Sequence, residues 1–188
     1  MASKVSWQPG TQLAPVPAVL IGSGGVKGYP ANIFTAAWCG IINSDPAMLS
    51  VSIRKERYSH TIISETMEFS CNVPIPALAH AVDYCGVVSG RKTDKFKACN
   101  LTALDGEKIN APTVAECPLT MECKVIEIKE LGSHDLFLAE IVNVRVSEDF
   151  IDSNGKFNFD KEGLLAYCHG AYYNIGEKVG SFGFSVKK

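Results

Sequence analysis

The chain has 188 residues, 46% of them hydrophobic, so it can build a real core in one domain. Only 20% are charged and the net charge is −2, which leaves no broad basic field for nucleic acid or anionic lipid. No apolar run approaches the ~20 residues of a membrane span, and "MASKVSWQPGTQLAP" lacks the apolar stretch of a signal peptide. The expectation is a cytoplasmic protein, a single domain over residues 1–188, with neither membrane nor nucleic acid as partner.

In chain order, Pro9, Pro15 and Pro17 forbid a regular helix near the start, and "VLIG" after them reads as a short strand. Three glycines then fall within four residues, from Gly22 to Gly25. A dinucleotide-binding turn needs a helix directly after its glycines. Here Lys27 stands where the last glycine belongs, and Tyr29-Pro30 follows, with Pro biasing Tyr29 away from helix. The glycines therefore read as a turn between two antiparallel strands, the second being "NIFTAAWCGIIN", closed by the turn "NSDP". "AMLSVSI" (Ala47 to Ile53) alternates and predicts another strand. "ERYSHTIISETMEFS" predicts a helix with Ser59 as N-cap and Ile62, Ile63 and Met67 on its apolar face. "CNVPIP" reads as extended, Ala77 to Val88 as a second helix, and "TDKFKACN" as a third, capped by Thr93 or Asp94. "LTMECKVIEIKEL" and "HDLFLAEIVNVRVSED" alternate and predict a long hairpin turning near Gly132. The last 35 or so residues read as loop-rich, with an aromatic cluster of Tyr167, Tyr172 and Tyr173. Strand following strand without a regular β-α-β beat predicts a mainly β fold, an antiparallel barrel or sandwich with peripheral short helices.

The seven cysteines are odd in number and show no C-x-x-C spacing, so they read as reduced, mostly buried thiols. The four histidines lie far apart, and no pattern indicates a metal site.

The stretch from "NIFTAAW" through the turn "SDP", a strand ending in Arg54, a Ser-opened helix and "F-x-x-N-x-P" (Phe69 to Pro74) resembles the flavin reductase-like proteins with an FMN-binding split β-barrel, and among them the flavoredoxins. "SGRKTDKF" and "HDLFLAEIVNVRV" extend the likeness, which covers roughly residues 12 to 175. The resemblance implies a split β-barrel of antiparallel, Greek-key-like strands, FMN held non-covalently at a homodimer interface, and hydride passing from NAD(P)H to the flavin and on to an acceptor. No catalytic protein side chain is expected, because the flavin carries the chemistry. A rival reading is an electron carrier of the flavoredoxin type, taking electrons from a reduced electron-transfer protein without efficient NAD(P)H turnover. A third is a barrel that has lost its flavin.

The flavin phosphate needs donors, and "SIRKERYSHT" holds a dense set: the Arg54 guanidinium, the hydroxyls of Ser59 and Thr61, and the backbone N–H groups of the helix that begins there. A solvated turn with Ser59 as a mere cap is the alternative. By resemblance, Asn32 and Trp38 contact the flavin, Lys95 reaches it or its phosphate, and His134 sits near the ring edge, where an imidazolium would favour the reduced form. Tyr167 stands where relatives place an aromatic over the ring, with Cys168 and His169 beside it at the mouth. Thr35, Ala36, Ser52 and Asn72 complete the implied set. Cys39 and Cys71 read as inert thiols, even if close to the ring. Taken without the likeness, Trp38 reads equally well as a core residue, Lys95 as surface and His134 as an exposed turn.

Overall fold

A computed structural model describes residues 3–159 and 162–186. Its elements in chain order are β1 (Val16–Pro17), β2 (Val19–Ser23), β3 (Asn32–Ala36), β4 (Cys39–Ser44), β5 (Ala47–Arg54), α1 (Tyr58–Thr66), β6 (Glu68–Val73), α2 (Ala79–Val87), α3 (Lys95–Ala98), β7 (Ala103–Leu104), β8 (Thr113–Val114), β9 (Leu119–Glu130), β10 (His134–Val146), β11 (Leu165–Cys168) and β12 (Ala171–Asn174). A short 3-10 turn, Pro76–Leu78, leads into α2. The fold is mainly β, as expected, with strands pairing antiparallel throughout the large sheet.

The large sheet has the order β3-β2-β6-β9-β10-β5-β4. Its two edge strands, β3 and β4, are consecutive in the chain. The chain therefore steps from one edge to the other at Ala37-Trp38, which curls the sheet into a barrel with a seam at that bend. The β4–β5 ladder runs on into the bend: the Ser52 backbone N–H donates to the Trp38 carbonyl at 2.9 Å. Residues 32–43, read in sequence as one strand, are thus two strands with different partners. No Gly or Pro marks the break.

Two apolar clusters flank the barrel wall. Inside sit Ile21, Phe34, Val51, Ile53, Phe69 and Phe137, all buried. Outside, Leu20 and Ile33 pack under α2 and α3 against Val82, Cys85 and Phe96. Strand β2 is covered on both faces, so its residues Val19–Ser23 are all buried and do not alternate in polarity. Truncating a side chain such as Phe137 would cost about 3–5 kcal/mol.

The glycine-rich stretch is the turn between antiparallel β2 and β3, as read from sequence. Gly24 and Gly25 adopt φ +82° and +79°, open only to glycine at low cost. The long hairpin β9–β10 forms as predicted, with register shifts near Leu138 and Ile141. Asp94 caps α3, its side chain accepting from the Lys97 N–H.

The helix read over 56–70 is shorter. It ends at Thr66, Met67 takes a left-handed conformation with φ 55°, and residues Glu68–Val73 are strand β6. Helices often stop at a left-handed glycine; a methionine there leaves no mark in the sequence. Nor is Ser59 the N-cap. Arg57 holds that position without a side-chain bond, and Ser59 lies buried inside the first turn. The tail is more ordered than expected: β11 and β12 form a hairpin that recruits β1 into a second sheet. Its turn, His169-Gly170, has positive φ at both residues, the geometry whose twist suits a tight hairpin.

Candidate functional site

The seam opens into a cleft of about 410 Å³ walled by three strand ends, the bend at Trp38, the second sheet and α2. Thr35 and Ala36 come from the end of β3, Trp38 from the bend, Ser52 and Arg54 from the end of β5, and His134 from the start of β10. Tyr167 and Tyr172 enter from the second sheet, and Asp83 and Gly86 from α2. Register explains the convergence: His134 pairs directly with Arg54, and Leu136 with Ser52.

Trp38 and His134 form one aromatic wall, their ring centroids 4.8 Å apart and tilted by 36°. Trp38 is 44% exposed, so its face is open and not core. The Ser133 hydroxyl lies 2.9 Å from His134 Nδ1 and fixes the ring's orientation. Burial, and then the Arg54 guanidinium, hold the His134 pKa below its ordinary value, with Glu56 opposing. On the far wall, Tyr167 and Tyr172 pack at 5.4 Å. Burial, and then the Asp83 carboxylate it bonds, push the Tyr172 hydroxyl up to about 12.

A second cleft of about 300 Å³ adjoins the first and shares Phe34, Arg54 and Arg57 with it. Ser59, Gly90 and Lys95 also line it, and its one acidic residue is exposed Glu56. Lys95 is only 4% exposed. Its ammonium donates to the carbonyls of Cys85 and Val88 at 3.1 and 3.2 Å. Burial first, and Arg57 in addition, push its pKa down to about 8, against the pull of Cys85. Among the described residues no carboxylate lies within ion-pair distance of Lys95 or Arg57, and Arg54 meets only exposed Glu56 at 3.7 Å. Of the three cations only Lys95 is buried, and a buried cation without a counter-anion is costly. This donor set suits a bound anion.

Asn32 stands behind this cleft. Its Nδ2 donates to Ser59 Oγ at 2.8 Å and Ser23 Oγ at 3.2 Å, so it orients the serine. Asp135, next to His134 on β10, lines neither cleft and ties β10 to α1. It accepts from His60 of α1 at 2.8 Å and pairs with Lys55 at 3.3 Å. Burial raises its pKa, but those two bonds outweigh burial and hold it below the usual carboxylate range.

Of the residues implied by the family likeness, Thr35, Ala36, Trp38, Ser52, Arg54, His134 and Tyr167 line the first cleft, and Arg54, Ser59 and Lys95 the second. Thr61 and Asn72 line neither. Asn72 is fully buried and spends its amide on Leu20 O, Ser70 Oγ, the Val114 N–H and the Thr120 hydroxyl. Gly170 lines the mouth, whereas Cys168 and His169 do not. Cys71 is sealed in the barrel, and burial pushes the Cys39 thiol up to about 11.

Arg57, Asp83, Gly86, Gly90 and Tyr172 escape the sequence reading of the site. Two carried a signal. Gly86 sits inside a helix, where glycine costs about 1 kcal/mol against alanine, and a Cβ there would meet Thr35 at 3.4 Å. At Gly90 a Cβ would overlap the Asn32 side chain. Among the described residues no group of three or more His, Cys, Asp or Glu is placed to hold a metal ion, and no helix is long and apolar enough to cross a membrane.

Residues 12–176 match the model of the flavin reductase like domain family. The structure of flavoredoxin from Desulfovibrio vulgaris (Miyazaki F) superposes with a TM-score of 0.90 at 33% identity, covering 98% of this chain and 100% of that one. Flavoredoxin from Methanosarcina acetivorans gives 0.89 at 31% identity, covering 98% and 97%. An FMN-binding protein from Thermus thermophilus, solved with bound 1-cyclohex-2-enone, gives 0.80 at 26% identity over 96% and 99% of the two chains.

Proposed function

The chain belongs to the flavin reductase-like family, and from that premise we propose that it is an FMN-binding oxidoreductase that passes electrons from NAD(P)H through bound FMN to an acceptor. It acts as a single-domain protein in the cytoplasm and pairs with a second copy of itself. Apolar side chains left exposed on β4 (Ile41, Ile42), and on the two ends of the chain at Trp7, Leu13 and Phe182, favour that pairing.

The observation that carries the reading is the place of Arg54. It is the shared wall of a cleft with aromatic faces and a cleft where buried Lys95 and half-buried Arg57 have no carboxylate within ion-pair distance among the described residues. FMN has that division: a flat ring at one end and a dianionic phosphate at the other. The phosphate would lie among Arg54, Arg57, Lys95 and Ser59, where Arg54 can grip two oxygens at once and the ammonium adds a point charge. Asn32 keeps the Ser59 hydroxyl aimed. The ring would lie in the first cleft, against Trp38 and His134 on one side and under Tyr167. When bound, FMN supplies the hydride and electron chemistry. The protein supplies position and charge. His134, whose pKa burial and then Arg54 hold below its ordinary value, would face the ring edge and could accept a proton there. The second sheet limits solvent access over the cleft while leaving a mouth at Gly170.

A second reading rests on the two flavoredoxin structures: an electron carrier served by a reduced protein donor. Stopped-flow mixing of oxidised holoprotein with NADH and NADPH separates the two. Rapid bleaching of the flavin band by either nicotinamide supports the oxidoreductase. Bleaching only by a reduced ferredoxin-like donor supports the carrier. A colourless protein that takes up no FMN removes both.

A further inference from the structure

Beside the cationic cleft, and independent of any flavin, two thiols face each other. Cys85 lies on α2 and Cys99 is the residue that ends α3. Their sulfurs are 3.9 Å apart. We propose that Cys85 and Cys99 form a dithiol redox site that a hydroperoxide converts to a disulfide.

The two cysteines differ in access. Cys85 is fully buried under α2, while Cys99 is half-buried at the helix end. A small oxidant reaches Cys99 first. The Cys99 sulfur attacks the peroxide; an S–O bond forms, the O–O bond breaks, and an alcohol or water departs, leaving a sulfenic acid. The Cys85 sulfur then attacks the Cys99 sulfur. An S–S bond forms and the S–O bond breaks. The hydroxide takes the Cys85 proton and leaves as water. Two thiols and one hydroperoxide give one disulfide, one alcohol and one water, with two electrons passing from sulfur to oxygen. The approach needs side-chain rotation of about 2 Å to reach an S–S bond of about 2.05 Å.

Neighbouring groups shape the pair. Lys95, between the two cysteines in sequence, donates to the Cys85 carbonyl at 3.1 Å and brings a positive charge to the pair. Burial and the neighbouring Cys99 raise the Cys85 thiol to about 12 while the Lys95 charge opposes them, so Cys85 is mostly protonated near neutral pH and its attack on the sulfenic acid is the slow step. Cys117 belongs to the same apolar cluster and is the natural competitor. The cross-link would join the two ends of the segment that carries Val88, Ser89, Gly90 and Lys95, all lining the second cleft. It would fix that wall against α2.

The test is on the intact wild-type protein, treated with hydrogen peroxide and digested without reduction. The expected product is a peptide pair joined through Cys85 and Cys99, two hydrogens lighter than the reduced pair and restored by dithiothreitol. Closing a loop of this length predicts a rise in melting temperature of about 6–12 °C on oxidation, absent in Cys99→Ala. Cys99→Ala keeps the buried Cys85 and so retains the fold. Oxidation of Cys99 to sulfinic acid with Cys85 still reduced would overturn the proposal. So would a cross-link from Cys85 to Cys117, or equal oxidation of the half-buried Cys39 and Cys168.

Discussion

Two regions of this protein gather charge, and they treat it in opposite ways. In the first, Glu68 and Glu122 on the adjacent strands β6 and β9 are buried, and each spends its oxygens on a loop. Glu122 accepts from the Glu107 and Lys108 N–H groups at 3.0 and 2.7 Å, and Glu68 from the Asn110 N–H at 2.8 Å. Arg145 adds an ion pair to Glu122 at 3.8 Å. Every charge there is answered within the chain. In the second region Arg54, Arg57 and Lys95 converge on open space, and Lys95 has only two carbonyls for company. Internal satisfaction marks a structural role. A buried ammonium with no carboxylate partner, beside two arginines in a cleft whose one acid is exposed Glu56, marks a place where an anionic ligand completes the structure.

That contrast can be broken at either end. The largest expected effect is at Glu122. Glu122→Leu orphans two loop N–H groups and should cost about 3 kcal/mol of stability in chemical denaturation. It should leave FMN affinity unchanged, and a loss of affinity with stability intact would erase the distinction. Arg54→Ala should do the reverse. Losing a charge-assisted grip on phosphate, about 1.5–3 kcal/mol, predicts FMN affinity weaker by about 10–100-fold in a fluorescence titration. The melting temperature of the apoprotein should not move, because the Arg54 side chain is 53% exposed and its one ion pair is with exposed Glu56. Unchanged affinity would remove Arg54 from the site. The smallest effect sharpens the aromatic half: His134→Leu should lower the flavin midpoint potential by about 30 mV, the two-electron equivalent of about 1.4 kcal/mol. A potential equal to wild type would place His134 away from the ring edge.

The hairpin β9–β10 is legible in the sequence because its alternation runs over more than ten residues on each strand. The glycine turn is legible because Pro30 forbids the helix a dinucleotide site needs. The Asp94 cap is a local rule obeyed locally. What the sequence hides is decided at a distance. Ser59 looks like a cap, but its hydroxyl is held by Asn32, which lies 27 positions away. The end of α1 at Met67 and the bend at Trp38 use residues with no turn preference, so tertiary pairing imposes both. Asn72 sits in the quoted family motif yet spends its amide on the barrel interior. Arg57 was visible in "SIRKERYSHT", but nothing local distinguishes a cleft arginine from a solvated one. Cys85 and Cys99 meet only because α2 and α3 both pack against β3.

The measurement that bears most directly on the cationic cleft is a titration of the apoprotein with FMN and with riboflavin, repeated from neutral pH to above the Lys95 value of about 8. A bound phosphate favours the Lys95 ammonium, so binding takes up a proton once the free site has lost it. Affinity for FMN should therefore be highest below about 8 and fall as pH rises through that value, by at most tenfold per unit. Riboflavin, lacking the phosphate, should bind more weakly and without that dependence. Equal binding of the two at every pH, or binding of neither, would contradict the account.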